Sequence, residues 1–182
     1  MKPWKRLGSR HLVRDQWISL RADRVELPNG HVLDPYYVIE DKPWGHVLAL
    51  DERERVLLVG QYRYAGGAAC WELPGGTIDA GEDPLAGTRR ELLEETGAVA
   101  EDWRRVAEFF PNPARQNNRF HGFVARRARV VQPPALDEGE VIESRFFSLA
   151  EIAEMIADGR YAQGNHIALL FLGLRMLGLR LP

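Results

Sequence analysis

The sequence predicts an α+β sandwich. Three observations carry that prediction. Strand-like and helix-like segments interleave without a strict βαβ rhythm. Three helical segments are recognisable, the first two ending at a glycine. An N-terminal stretch of β-patterned residues turns on an Asn-Gly pair.

Taken in order, residues 18–27 read as a strand, with Ile18, Leu20 and Ala22 alternating. Pro28-Asn29-Gly30 then supplies a tight turn. HVLDPYYVIE, residues 31–40, forms the return strand, and Pro35 assigns it to an edge or a bulge. Asp41-Lys42-Pro43 is a connector. These features place a small antiparallel β subdomain in residues 1–45, followed by a larger domain over 46–182. In the larger domain, HVLAL (46–50) and RVLLVGQYRY (55–64) are apolar runs joined by the charged turn Asp51–Glu54. A short strand is expected at 70–73, before a glycine-rich loop, and further strands at 104–110, 119–131 and 141–147.

The first helix is expected over 84–96. Asp83 can cap it, Pro84 suits its first turn, and Gly97 suits its end. A second spans 149–158, with Ser148 and Glu151 forming a capping box and Gly159 ending it. The third runs from about Asn165 to Leu177. The apolar stretch from Ile167 contains Arg175 and Arg180, which suits a terminal core helix better than a membrane span.

Composition narrows the function classes. With 24 basic and 26 acidic side chains the net charge is −2, which gives no electrostatic case for nucleic acid or an anionic membrane as the main partner. Cys70 is the only cysteine, so no intrachain disulfide forms and a reducing, cytoplasmic setting is expected. The N-terminus lacks the apolar core of a signal peptide.

The chemistry lies in residues 75–98, GGTIDAGEDPLAGTRRELLEETGA. On the helix after Pro84, Glu91, Glu94 and Glu95 stand at i, i+3 and i+4 and share a face. They occupy the C-terminal half, where the helix dipole favours cations, so helix stability does not explain them. Arg89 and Arg90 offset part of that cost, and a solvated acidic face is the plain structural reading. Clustered carboxylates also form a hard oxygen site suited to Mg²⁺ or Mn²⁺. The preceding Leu73-Pro74-Gly75-Gly76 can bring backbone close to a ligand and offer a carbonyl to a metal. A divalent cation beside water and phosphate is what diphosphate cleavage requires.

The spacing of this segment resembles a known motif. Gly76, five residues, Glu82, seven residues, Arg90-Glu91-Leu92, one residue, Glu94-Glu95, one residue, Gly97 is similar to the Nudix box, matching eight positions. Ala98 departs from it, standing where the family has a larger aliphatic residue. Gln61-Tyr62-Arg63, Glu72-Leu73-Pro74-Gly75-Gly76, the N-terminal β segment and Pro113, sixteen residues after Gly97, resemble the ADP-ribose and nucleoside-diphosphate-sugar pyrophosphatase branch.

The resemblance implies an α/β/α sandwich with a mixed sheet and a metal-dependent hydrolysis of ADP-ribose or a related nucleoside diphosphate sugar. The products would be a nucleoside monophosphate and a sugar phosphate. It implies Mg²⁺, with Mn²⁺ as a substitute, held by Glu91, Glu95 and the Gly75 carbonyl, with Glu94 at a second metal or positioning water. Arg90 would orient a box glutamate, and Glu82 would be a metal ligand or, in preference, stand behind the ligands. The catalytic base would be Glu138 on the loop 136–140, with Glu140 the alternative. Arg63 would bind the diphosphate, since a guanidinium is permanently charged and bidentate.

Arg115, Gln116 and Asn118 are the candidates for reading phosphate, sugar or base. Their segment, Pro111–Asn118, departs from the Ser-Pro-Gly type of the branch. Trp17, Trp44, Tyr36 and Tyr37 are candidate stacking surfaces, though packing is the commoner use of such residues; His121 and His166 read as ordinary polar residues. The branch also implies a homodimer that exchanges N-terminal sheets. Competing functions are a Nudix-fold nucleotide-sensing module and an RNA 5′ pyrophosphohydrolase; the absence of a basic stripe speaks against the latter.

Overall fold

A computed structural model describes all 182 residues, and they form two compact units. The first comprises Met1–Lys42 and Phe110–Arg119, the second Pro43–Phe109 and Phe120–Pro182. Residues 110–119 therefore group with the N-terminal segment, although the sequence reading leaves them in the larger domain.

The first unit is a three-stranded antiparallel sheet in the order β1-β2-β3, built from β1 (Lys5–Arg14), β2 (Ser19–Glu26) and β3 (Val32–Glu40). β1 was not expected from the sequence. Its residues KRLGSRHLVR carry no clean alternation, and all ten are exposed. Pairing with β2, rather than any apolar pattern, makes it a strand. β3 is an edge strand, and its register with β2 slips opposite Pro35, between the pairs Asp23–Tyr36 and Val25–Leu33. Both consequences expected of that proline are therefore present. The segment 110–119 is tied to β3 through Ile39, whose N–H donates to the Arg115 carbonyl at 2.8 Å and whose carbonyl accepts from Asn117 at 3.3 Å. The Tyr36 hydroxyl donates to the Ala114 carbonyl and Asn118 Nδ2 to the Lys42 carbonyl.

The second unit contains β4 (Trp44–Ala49), β5 (Val56–Arg63), β6 (Ala68–Glu72), β7 (Gly75–Thr77), α1 (Pro84–Thr96), β8 (Ala98–Phe109), β9 (Phe120–Val130), β10 (Glu143–Phe147), α2 (Leu149–Asp158) and α3 (Gly164–Leu177). β7-β4-β9-β8 form a mixed sheet in which β4 and β9 run parallel. β10-β5-β6 form an antiparallel one.

Period-two alternation sorts side chains to two cores. Leu48, Val124, Val56 and Leu58 pack with Ile152 and Met155 of α2 and Leu169, Leu170 and Leu174 of α3. Their neighbours Val47, Ala49, Phe123, Ala125 and Leu57 pack with Leu92 of α1. Helices thus cover both faces, as in an α/β/α sandwich. β4 reads as a continuous apolar run because it is buried on both sides. α3 is a core helix as expected, with His166, Leu169, Leu170, Gly173 and Leu174 buried. No helix is long and apolar enough to cross a membrane.

Candidate active site

α1 sets the geometry of the acidic cluster. The Asp83 side chain accepts the Leu85 and Ala86 N–H groups at 3.1 and 3.0 Å, Pro84 starts the helix, and Gly97 ends it in the left-handed region. Burial of Leu92 fixes the rotation of the helix, and Glu91 and Glu95 then fall on the border of one cleft. That cleft has a volume of about 490 Å³. Trp44, Gln61, Arg63, Gly75, Gly76, Glu140 and Gln163 also line it.

The glycines are required by close approach. A Cβ on Gly76 would stand 2.7 Å from Glu91 Oε2, and Gly75, at φ 139°, would drive one into the backbone of Gly45 and His46. Gly75 N–H in turn donates to Glu95 Oε2 at 2.8 Å. Two buried histidines hold the residue that opens this turn. His166 Nδ1 accepts the Leu73 N–H at 3.0 Å, and His46 Nδ1 donates to the Leu73 carbonyl at 3.3 Å. The rings lie 4.4 Å apart between centroids. Burial depresses both, His46 to about 4, so both are neutral at physiological pH. His166, an ordinary polar residue by sequence, therefore helps fix the glycine turn.

Glu95 is 6% exposed, and burial pushes its carboxyl up to about 8 against the opposing Gly75 N–H; the charges of Glu91 and Glu140 add to the rise. Burial also raises Glu91, although the Arg90 guanidinium pulls it down. Arg90 gathers three carboxylates: Nε and Nη2 reach Glu82 at 3.2 Å, and Nη1 reaches Glu91 and Glu94, each at 2.9 Å. Glu82 also accepts the Asp79 N–H. No three acidic, histidine or cysteine side chains are placed to hold one metal ion by themselves. Glu91, Glu95 and the Gly75 backbone are nonetheless hard oxygen donors on one cleft wall, and two carboxylates costly to ionise alone suit a divalent cation.

The other sequence candidates distribute as follows. Glu94 sits on α1 against Arg90 and is not a lining residue of the cleft. Of the two loop glutamates, Glu140 lines the cleft and Glu138 does not. Glu140 Oε2 also accepts the Asp137 N–H, closing the loop on itself. Arg63 lines the cleft but is gripped by Glu72. Arg115, Gln116 and Asn118 belong to the first unit rather than to the one that carries the cleft. Sequence reasoning missed Glu72, His46 and Gln163 as parts of this neighbourhood. Only Glu72 had a signal, its place directly before Leu-Pro-Gly-Gly.

The model of the NUDIX domain matches residues 43–170, most of the chain. The chain belongs to the Nudix hydrolase family. A model described as the nucleoside diphosphate sugar hydrolase N-terminal domain matches residues 4–39. Among its relatives is a CMP-5′-(N-acetyl-N-hydroxy-3-aminopropyl)phosphonate hydrolase of Streptomyces rubellomurinus, 32% identical over 92% of this chain and 81% of the relative. An ADP-ribose pyrophosphatase of Mycobacterium tuberculosis is 30% identical over 82% of this chain and 73% of its own. A solved ADP compounds hydrolase shares the fold, with a TM-score of 0.83 over 98% of this chain and 96% of that one at 20% identity. This Nudix enzyme thus has the mixed-sheet sandwich expected from its box.

Proposed function

We propose that this Nudix hydrolase cleaves the diphosphate bond of ADP-ribose or a related nucleoside diphosphate sugar, giving a nucleoside monophosphate and a sugar phosphate. The observation that carries the reading is the cleft itself: Glu91, Glu95, the Gly75 backbone, Arg63 and Glu140 border one space. The likeness of residues 4–39 to a nucleoside diphosphate sugar hydrolase N-terminal domain supports the substrate class.

In this reading Glu91, Glu95 and the Gly75 carbonyl hold Mg²⁺, while Glu94, outside the cleft lining, serves as a partner of Arg90. A bound divalent cation neutralises diphosphate charge and acidifies water. Arg63 takes diphosphate oxygens with its guanidinium. Glu140, in preference to Glu138, receives the proton of the attacking water as its oxygen bonds to one phosphorus. The bridging P–O bond breaks, and its electron pair leaves on the departing phosphate. His46 and His166, held neutral by burial, keep the turn before Gly75 in place and take no proton in the reaction.

The enzyme works as a homodimer in this reading. The fully exposed β1 and the exposed Leu7, Leu12, Val13, Trp17 and Ile18 of the first unit give it apolar surface to cover. A free Cys70 accords with a reducing cytoplasm. A panel of ADP-ribose, GDP-mannose, UDP-glucose and nucleoside triphosphates, with phosphatase-coupled phosphate release, tests the substrate class. Metal-dependent turnover confined to the diphosphate sugars is expected. Turnover confined to the triphosphates, or none at all, would reject it.

A further inference from the structure

We propose that Glu72 is a positioning residue: it holds the Arg63 guanidinium at the side of the cleft, keeps it off the metal-binding carboxylates, and turns its terminal edge toward the substrate diphosphate. The proposal rests on the diphosphate-hydrolase reading of the cleft given above.

The hairpin register brings the two residues together. β5 and β6 pair Arg63 with Ala68, Gln61 with Cys70 and Val59 with Glu72, so Arg63, Gln61 and Glu72 share one face. Arg63 does not point out from its strand end. It folds back along that face, past the Gln61–Cys70 pair, to reach Glu72. Nε donates to Oε1 at 2.9 Å and Nη2 to Oε2 at 2.6 Å, a bidentate grip that engages both carboxylate oxygens.

The two partners differ in exposure. The Glu72 side chain is 2% exposed and that of Arg63 is 48% exposed. A carboxylate so buried needs its cation. Arg63 keeps much of its surface in the cleft it shares with Glu91, Glu95 and Glu140. The grip uses the Nε–Nη2 side of the guanidinium and leaves Nη1, with the second Nη2 proton, for phosphate oxygens.

Competition gives Glu72 its purpose. Arg90 shows what an arginine does beside these carboxylates: it settles on Glu91 and Glu94. Arg63 also feels the charge of Glu95. Without a better partner it would swing onto the acidic wall, filling the space meant for the cation. The bidentate bond to a buried carboxylate is the stronger hold.

The test is a double-mutant cycle on the full chain, with ADP-ribose as substrate and inorganic pyrophosphate as the diphosphate probe. Glu72→Gln is expected to raise KM for ADP-ribose and Kd for pyrophosphate roughly tenfold, with a smaller change in kcat. Arg63→Gln is expected to do the same, and the double variant no more than Arg63→Gln alone. Glu72→Asp retains the charge but shortens the reach, and serves where the glutamine variant fails to fold; it should raise the pyrophosphate Kd in the same direction. In the wild type, pyrophosphate should shift the NMR resonance of the Arg63 Nε–H. An unchanged KM and Kd in the Glu72 variants, effects that multiply in the double variant, or an Arg63 resonance indifferent to pyrophosphate would overturn the proposal. A wild type that binds pyrophosphate at Arg63 yet cleaves no diphosphate sugar would sink the hydrolase reading alone.

Discussion

Two arginines border the acidic wall of this enzyme, and they are held in opposite ways. Arg90 is shared among Glu82, Glu91 and Glu94, whose side chains are 21%, 15% and 45% exposed. Arg63 has one partner, buried and engaged through both oxygens. A shared cation neutralises a crowd and can release any one member of it at little cost. A dedicated pair fixes a direction. In the proposed function, the contrast separates a region that receives a metal from one that aims a charge.

The largest way to break this contrast is to remove an acceptor from the wall. Glu95→Gln should lower turnover by about 10³-fold or more, on the scale of losing a principal electrostatic stabiliser. The change is nearly isosteric, and its amide can still accept the Gly75 N–H, so the circular dichroism spectrum should match that of the wild type. Activity assayed at limiting Mg²⁺ checks it, and near-normal turnover there would remove Glu95 from the metal site.

Next in size is the base. Glu140→Gln should reduce kcat by about 10²-fold, the low end of general-base effects, because solvent can partly replace an exposed carboxylate. Glu138→Gln should change kcat little. Steady-state kinetics of both variants decides the assignment; a large loss confined to the Glu138 variant would return the role to that residue.

A smaller effect is expected at the shared arginine. Arg90→Ala leaves three acidic side chains facing one another, but the exposure of the group limits its worth to about 1 kcal/mol of stability. Metal should rescue much of that loss, since the cation takes over the neutralising role. A melting temperature that Mg²⁺ raises more in Arg90→Ala than in the wild type would sharpen the contrast. A wild type and variant equally responsive to the metal would blur it.

The remaining effect is in pH. Glu95 titrates at about 8 in the folded chain, above its ordinary value of 4.5. The folded, metal-free protein therefore binds the proton more tightly than the unfolded chain. That stabilisation is full below the ordinary value and is lost as pH rises through about 8. Denaturant melts in chelator from acid to mildly alkaline pH should show this decline in the wild type and a flatter profile in Glu95→Gln. Metal removes the proton and should flatten the wild-type profile as well.

Much of this architecture was legible before any coordinates. The caps at Asp83 and Ser148 and the stops at Gly97 and Gly159 are local chemistry, and all four are found where expected. Helical spacing put Glu91 and Glu95 on one side, because α1 is one uninterrupted helix and Leu92 orients it. β1 escaped because its strand character comes from its partner. Glu72 escaped for a related reason. Parity could place it on a face with Arg63, but a bond across three pairs of a hairpin depends on how a long side chain folds back. Glu138 and Glu140 share parity and character, and only the path of their loop separates them.

In the proposed function one cleft, lined by Glu91, Glu95, Glu140 and Arg63, cleaves a diphosphate with a divalent cation. Phosphorus NMR of ADP-ribose incubated with the protein tests it most directly. With Mg²⁺, the two diphosphate signals should give way to equal signals of AMP and a ribose phosphate, and chelator or Glu95→Gln should leave the diphosphate intact. Persistence of the diphosphate signals with Mg²⁺ and the wild type, or cleavage undiminished by chelator or by Glu95→Gln, would contradict it.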